Sequence, residues 1–283
     1  MSRKHIPMAI AYDFDGTLAP GNMQEHQFLP DVGMKPSKFW SEVKRQTKEE
    51  QADEILIYMN LMLQRAAQVG VPVRREDFKK RGQTIELFPG VEDWFERITR
   101  FGREQGVRIE HFIVSSGNAE IIAGTSIAKR FRQIYASKFR FDANGVAVWP
   151  ALAVNYTTKT QYLFRINKDA HDLSDNERVN RFIEKEDRPV PFSNMIFIGD
   201  GSTDVPCFRL VREQGGLSIA VFKPQTRGAR SKADSYLKDG RVHCVVPANY
   251  SPDSSLDRVV KANIAMIAAR GALQDALAAL TVS

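Results

Sequence analysis

Asp13-Phe14-Asp15-Gly16-Thr17-Leu18 sets two carboxylates two residues apart, directly after a compact apolar run from Met8 to Tyr12. Like charges this close repel, and partial burial raises the cost of keeping both ionised. A hard divalent cation relieves both problems, because Mg²⁺ takes carboxylate and carbonyl oxygens together with water. A second acidic pair, Asp200 and Asp204 in Gly199-Asp200-Gly201-Ser202-Thr203-Asp204, also ends an apolar run, Met195 to Ile198. Two such clusters, far apart in sequence, could converge on one metal. Between them, Val114-Ser115-Ser116-Gly117-Asn118 puts small hydroxyls and exposed amides at a strand-to-helix junction, which is the chemistry of an anion site.

Short apolar runs ending in turns read as buried strands: Met8 to Tyr12, His111 to Val114, Met195 to Ile198, Leu217 to Phe222 and Val242 to Val246. Helical patterns lie between them, including Val91 to Ile98 and Ala119 to Arg132. Strands alternating with helices imply a parallel sheet with both faces covered, and in open sheets of this kind ligands bind at the carboxyl ends of strands. The stretch from about Phe28 to Arg81 differs. Ser37 to Lys48 and Ala52 to Val69 read as amphipathic helices, the second with Ile55, Tyr58, Met59, Met62 and Leu63 on one side. Phe39, Trp40 and Tyr58 are expected to form a small core of this helical insert, and Lys35, Lys38, Lys44, Arg45 and Lys48 a solvated face. Asn144-Gly145 predicts a tight turn between paired strands, and Ser254 to Leu280 an Ala-rich helix with Gly271 as its weak point.

Composition bounds what this scaffold can be. Of 283 residues 43% are apolar and 26% charged, which excludes a disordered or low-complexity chain. Cys207 and Cys244 cannot make a disulfide framework, and with four of the histidines (His26, His111, His171, His243) they show no metal-ligand spacing. The net charge of +6 permits an anionic substrate without indicating nucleic acid. No stretch approaches the ~18 uninterrupted apolar residues of a membrane span. The N-terminal MSRKHIPM is too short for a signal peptide, so the cytoplasm is the expected compartment.

Taken together and in this order, Asp13-x-Asp15-Gly16-Thr17, Ser115 after an apolar strand, and Gly199-Asp200-Gly201-x-x-Asp204 resemble the first, second and fourth motifs of the haloacid dehalogenase superfamily, and within it the phosphatases. The resemblance spans about residues 8 to 222. It implies a doubly wound, mainly parallel α/β core, residues 1–21 and 86–283, with a small helical cap, residues 22–85, inserted after the first strand. It implies that Asp13 is the nucleophile, that Asp15 is the acid and base, and that Asp13, the Asp15 backbone carbonyl and Asp200 hold Mg²⁺. Ser115, with Ser116 as its alternative, and a lysine would bind the phosphoryl oxygens. The family's third motif is a lone lysine. Lys159, near a helix start that Asn155, Thr157 or Thr158 could cap, fits it best, and Lys168 is the alternative. Gly16 and Thr17 would order the Asp15 loop, and Asp204 would support the metal or the lysine. In phosphoserine-phosphatase-like relatives a Glu just after the first motif touches substrate, which nominates Glu25 on an entrance flap with Gly21, Asn22 and Gln24.

The function expected is hydrolysis of a small phosphorylated metabolite through an aspartyl-phosphate, with a phosphomutase of the same fold as the alternative. Asp15 argues against dehalogenase activity, because the dehalogenases lack that aspartate. A nucleic-acid- or protein-binding role on the same fold would use basic patches such as Arg100, Arg103 and Arg108, or Lys129, Arg130 and Arg132, but no aromatic stacking motif accompanies them.

Overall fold

The computed structural model describes residues 5–281; the first four residues of the N-terminal segment and residues 282–283 lie outside this range. Among the described residues seven strands form one sheet: β1 (Ile6–Tyr12), β2 (Val107–Asn118), β3 (Gln133–Phe141), β4 (Ala147–Leu152), β5 (Met195–Gly199), β6 (Leu217–Phe222) and β7 (Cys244–Pro247). Their order is β4-β3-β2-β1-β5-β6-β7, parallel throughout except for the β3–β4 hairpin, which turns at Asn144-Gly145 as its sequence predicts. The chain leaves β1 toward β2 on one side and returns to β5 on the other, so β1 borders the point where the winding reverses. Ligands of doubly wound sheets sit at that point.

Alternation along β1 shows why a sheet covered on both faces forms. Met8, Ile10 and Tyr12 pack into one apolar layer, and Ala9 and Ala11 into the other. Six helices lie between β1 and β2: α1 (Met23–His26), α2 (Phe28–Asp31), α3 (Pro36–Glu50), α4 (Glu54–Val69), α5 (Arg75–Gly82) and α6 (Val91–Glu104). The one-turn α7 (Ala119–Ile122) follows β2; α8 (Tyr156–Asn167) and α9 (Asn176–Asn180) precede β5; α10 (Val205–Glu213), α11 (Ala229–Lys238) and α12 (Ser255–Thr281) complete the chain. On α6, Val91, Trp94, Phe95 and Ile98 recur at helical spacing and bury with Leu256, Val260, Ile264 and Ile267 of α12 against one face. α8, α10 and α11 cover the other with Tyr162, Leu163, Phe208, Val211 and Tyr236.

Helices α1–α5 occupy the stretch read as a helical insert, and their apolar side chains do not form a separate core. Phe28, Phe39, Val43, Met59, Met62 and Phe78 belong to the same cluster as the α6–α12 layer. α5 lies against α7 so closely that a Cβ on Gly124 would stand 1.9 Å from the Lys79 carbonyl oxygen, and one on Gly82 would stand 2.0 Å from that of Ile121. This packing accounts for a departure from expectation. The pattern from Ala119 to Arg132 predicts one long helix, but α7 stops at Ile122, Thr125 Oγ1 bonds back to the Ile122 carbonyl at 2.7 Å, and only a 3₁₀ turn, Ala128–Arg130, follows. A second departure is that α12 runs unbroken through Gly271, which sits directly over Ile6.

Candidate active site

The carboxyl ends of three adjacent strands, β2, β1 and β5, bring the acidic and hydroxyl groups together. Asp13 continues β1, its N–H donating to the Ile198 carbonyl at 2.9 Å. One of its carboxylate oxygens accepts from the Phe14 N–H at 2.7 Å, and the other lies 3.0 Å from Lys159 Nζ. The chain then folds into a tight loop, closed by Gly16 N–H to Ala19 O and Leu18 N–H to Phe14 O, both 2.8 Å. Gly16 holds φ +73°, and a Cβ there would fall 2.3 Å from Asp200 Oδ2, so only glycine lets the loop pass beside that carboxylate. Thr17 Oγ1 donates to Asp200 Oδ1 at 3.3 Å, and the Met23 N–H donates to Asp15 Oδ1 at 2.9 Å.

Asp204 joins the acidic loop to the lysine. Its Oδ2 accepts from the backbone N–H groups of Asp200 and Gly201, each at 3.0 Å, and its Oδ1 accepts from Lys159 Nζ at 2.6 Å. Lys159 comes from the first turn of α8, where Asn155 is the N-cap residue, and it is wholly buried. Burial by itself would lower its pKa, but the charges of Asp13 and Asp204 outweigh that and hold the ammonium above its ordinary range. The carboxyls show the opposite imbalance. Desolvation, then the neighbouring charges of Asp204 and Asp13, push Asp200 up; desolvation and Asp13 push Asp15 well up. The Lys159 ammonium therefore pairs with Asp13 and Asp204, and the charges of Lys232 and Lys159 offset only part of the rise at Asp200.

Ligand atoms of Asp13, Asp200 and Asp204 lie within 4.8 Å of one another. Asp204 holds Lys159 and two N–H groups and Asp13 holds Lys159 and one, whereas Asp200 accepts from Thr17 Oγ1 through one oxygen, so Asp200 is the least engaged donor of the three. This hard, over-negative donor set suits Mg²⁺.

Asp13, Asp15 and Asp200 form the floor of a cleft of about 480 Å³, with Lys159 and Asp204 fully buried beside them and not part of its lining. Ser115 and Ser116 line it. Ser115 Oγ is buried and accepts from the Gly117 N–H at 3.1 Å, whereas Ser116 Oγ is buried without a protein partner. Because α7 is a single turn, the anion-binding contribution expected from a helix dipole at this junction is small, and the hydroxyls and backbone amides remain. Lys168 stands apart: its ammonium donates to the Val179 and Arg181 carbonyls at 2.7 and 2.8 Å. Glu25 does not line the cleft. Its Oε1 accepts from Trp40 Nε1 at 2.6 Å and Asn22 Nδ2 at 2.7 Å, so it ties α1 to α3.

Phe39 and Tyr58 belong to the core and Trp40 packs against it, as their sequence predicts, and Lys44 is exposed; Trp40, Tyr58 and Lys44 also border the cleft, as do Gln24, Glu54 and Ile55. Tyr156 of α8 and Lys232 of α11 complete the rim, and no motif pointed to either. The one signal for Tyr156 was an aromatic residue set among polar ones at a helix start. Across the cleft the two walls meet through their caps. Asp53, the N-cap of α4, accepts from Ile55 and Leu56 N–H and from the side chain of Asn155, the N-cap of α8.

Known proteins share this architecture. The model of the haloacid dehalogenase-like hydrolases matches residues 10–209. A protein from Borreliella burgdorferi, described only as uncharacterized, is 26% identical over 290 residues, covering 90% of this chain and 96% of its own. A probable phosphoserine phosphatase from Vibrio cholerae, in unliganded form, has a TM-score of 0.55 at 12% identity, over 95% of this chain and 69% of its own. A phosphoserine phosphatase structure with a phospho-aspartyl intermediate analogue has a TM-score of 0.53 at 14% identity, over 90% of this chain and 98% of its own. At these identities the likeness of the solved structures is one of fold.

Proposed function

The chain belongs to the haloacid dehalogenase-like hydrolase family, and from that premise we propose that it is a Mg²⁺-dependent phosphomonoesterase working through an aspartyl-phosphate on Asp13. The observation that carries this reading is the buried Lys159 ammonium set between Asp13 and Asp204 at the strand ends. It holds a carboxylate ready at a point where a phosphate dianion would otherwise be repelled, and it offers the charge that a transferring phosphoryl group needs. The phospho-aspartyl analogue in a phosphatase of the same fold supports the same chemistry.

In this mechanism an Asp13 carboxylate oxygen attacks phosphorus, and the bond to the ester oxygen breaks. Asp15, whose burial favours its protonated form, gives a proton to the departing alkoxide. Asp15 then takes a proton from water, whose oxygen displaces Asp13 from phosphorus and releases inorganic phosphate. Ser115, Ser116 and Lys159 hold the phosphoryl oxygens. Asp13, Asp200 and the Asp15 carbonyl would hold Mg²⁺, which supplies charge neutralisation for the incoming dianion. Gly16 and Thr17 fix the Asp15 loop, Asp204 fixes Lys159, and residues 22–85 act as a cap that keeps bulk water from the intermediate.

The test is phosphate release from an aryl phosphate, with and without Mg²⁺, by wild type and Asp13→Asn. Release that requires Mg²⁺ and disappears in the variant is expected. Mg²⁺ should also raise the melting temperature of wild type and not of Asp200→Asn, since a ligand at about a hundredfold its Kd stabilises by about 2.7 kcal/mol. A folded protein that shows neither effect is not the enzyme described here.

A further inference from the structure

The cleft is wider than a phosphoryl group requires, and three aromatic side chains stand among its mainly polar lining. Trp40, Tyr58 and Tyr156 all line it. Trp40 and Tyr58 meet edge to face, with ring centroids 5.9 Å apart, and Phe39 packs its own edge on the indole at 5.0 Å. The indole N–H is taken by Glu25, and the Tyr58 hydroxyl donates to the Ser116 carbonyl at 2.8 Å. Both polar ends are therefore spent on fixing the rings, and Tyr58 is anchored to the strand end that carries the two serines. Tyr156 stands three residues before Lys159 on the same side of α8, one helical turn from the phosphoryl site. It is 43% exposed, and its backbone sits at φ +33°, a left-handed conformation that is costly for a bulky residue. An exposed aromatic side chain held on a strained backbone beside a catalytic cleft is the pattern of a binding group.

From this we infer that the enzyme selects phosphomonoesters whose leaving group carries a planar ring, held between Trp40, Tyr58 and Tyr156, with Glu25 as the residue that positions Trp40. The inference rests on the phosphomonoesterase reading. An aromatic cage can also suit a quaternary ammonium. Here two cations, Lys44 and Lys232, stand on the rim against the one carboxylate of Glu54, and neither ammonium makes an ion pair among the described residues, so the net positive rim disfavours a cationic group. The same two lysines favour a ring that bears acceptor or anionic substituents. A volume of about 480 Å³ falls in the ordinary range for small-molecule sites, roughly 300–1,000 Å³, and leaves room for a ring beyond the phosphate.

Benzyl phosphate and a nucleoside 5′-monophosphate test this against O-phosphoserine and glycerol 3-phosphate, all four being esters of alkyl alcohols. The kcat/KM of the ring-bearing pair should exceed that of the aliphatic pair by at least about tenfold, the scale of one good ring contact. Tyr156→Ala and Trp40→Leu should each lower that ratio about tenfold, mainly through KM. Glu25→Gln should lower it less, because the amide oxygen can still accept from the indole. Equal or better turnover of O-phosphoserine, or variants that lower all four substrates alike, would overturn the inference and leave the phosphatase reading standing. If none of the four is hydrolysed, that reading fails, and binding decides the ring site alone. Asp13→Asn, followed by tryptophan fluorescence, should bind benzylphosphonate at least about tenfold more tightly than ethylphosphonate; equal affinities would remove the ring site.

Discussion

Replacing Lys159 by Met takes the cation from between Asp13 and Asp204 while keeping most of its volume. Breaking a buried ion pair leaves its partners uncompensated, at a cost of about 3–5 kcal/mol. Urea denaturation at neutral pH should show a loss of that size for Lys159→Met, together with loss of phosphate release. The double variant Lys159→Met/Asp204→Asn should recover part of the stability and none of the activity. A double variant no more stable than the single one would mean that Asp204 is not strained by losing its partner. His111, on the strand that carries Ser115, gives a second residue-scale expectation. Trp94 Nε1 donates to Tyr12 Oη at 2.8 Å, so the Tyr12 hydroxyl is free to donate to His111 Nδ1 at 3.0 Å, and His111 Nε2 faces Thr99 Oγ1 at 3.0 Å. That network holds a neutral imidazole, and burial pushes its pKa down to about 3. Below its unfolded pKa of about 6.5 the unfolded chain binds a proton that the folded chain refuses. The stability is complete above that pH and falls as pH drops toward 3, by about 2 kcal/mol at pH 5. His111→Gln should flatten the dependence of stability on pH between 6.5 and 4.5; an unchanged slope would assign it to the carboxyls instead.

Elements place these residues through their ends. Asp53 caps α4 and at the same time accepts from the cap of α8, so one carboxylate joins the two walls of the cleft. Asp53→Ala should cost about 1 kcal/mol for the lost cap and raise KM as the walls loosen. Asp53→Asn keeps the oxygen that caps α4 but places an amide NH2 where Oδ2 accepts from Asn155, so it should restore the stability and leave KM raised. A KM unmoved by Asp53→Ala would mean that the walls hold without this contact. The elements that carry the motifs were legible because their signal is local: an apolar run that stops at an acidic or hydroxyl turn marks both the strand and its end, as at Asp13, Ser115 and Asp200. The arrest of α7 was not legible, because the backbone of α5 crowds Gly124 from about forty-five residues upstream. Trp40, Lys44 and Lys232 were also hidden. Amphipathic spacing separates an apolar face from a polar one. It says nothing about which part of the polar face turns toward a cleft built from other elements.

At the scale of the molecule, the insert and the sheet share one apolar cluster. Separate unfolding of the insert would expose the α6–α12 layer as well, so a single cooperative transition is expected. Trp40 in the insert and Trp94 beside the sheet offer two probes. With each made the sole tryptophan in turn, the urea curves should coincide, and an earlier transition at Trp40 would show an independently stable core. The central place of β1 reaches beyond the finished structure to its making. This strand precedes both of its partners in the chain, pairing with β2 at Val107 and beyond, and with β5 only at Met195 and beyond. During synthesis it must wait for them, with an unpaired apolar edge open to other chains. Folding through such distant pairings is slow, and a product cut short before Met195 would keep that edge exposed for good. The strand at the centre of the sheet is thus the one whose edge stays unpaired longest as the chain emerges.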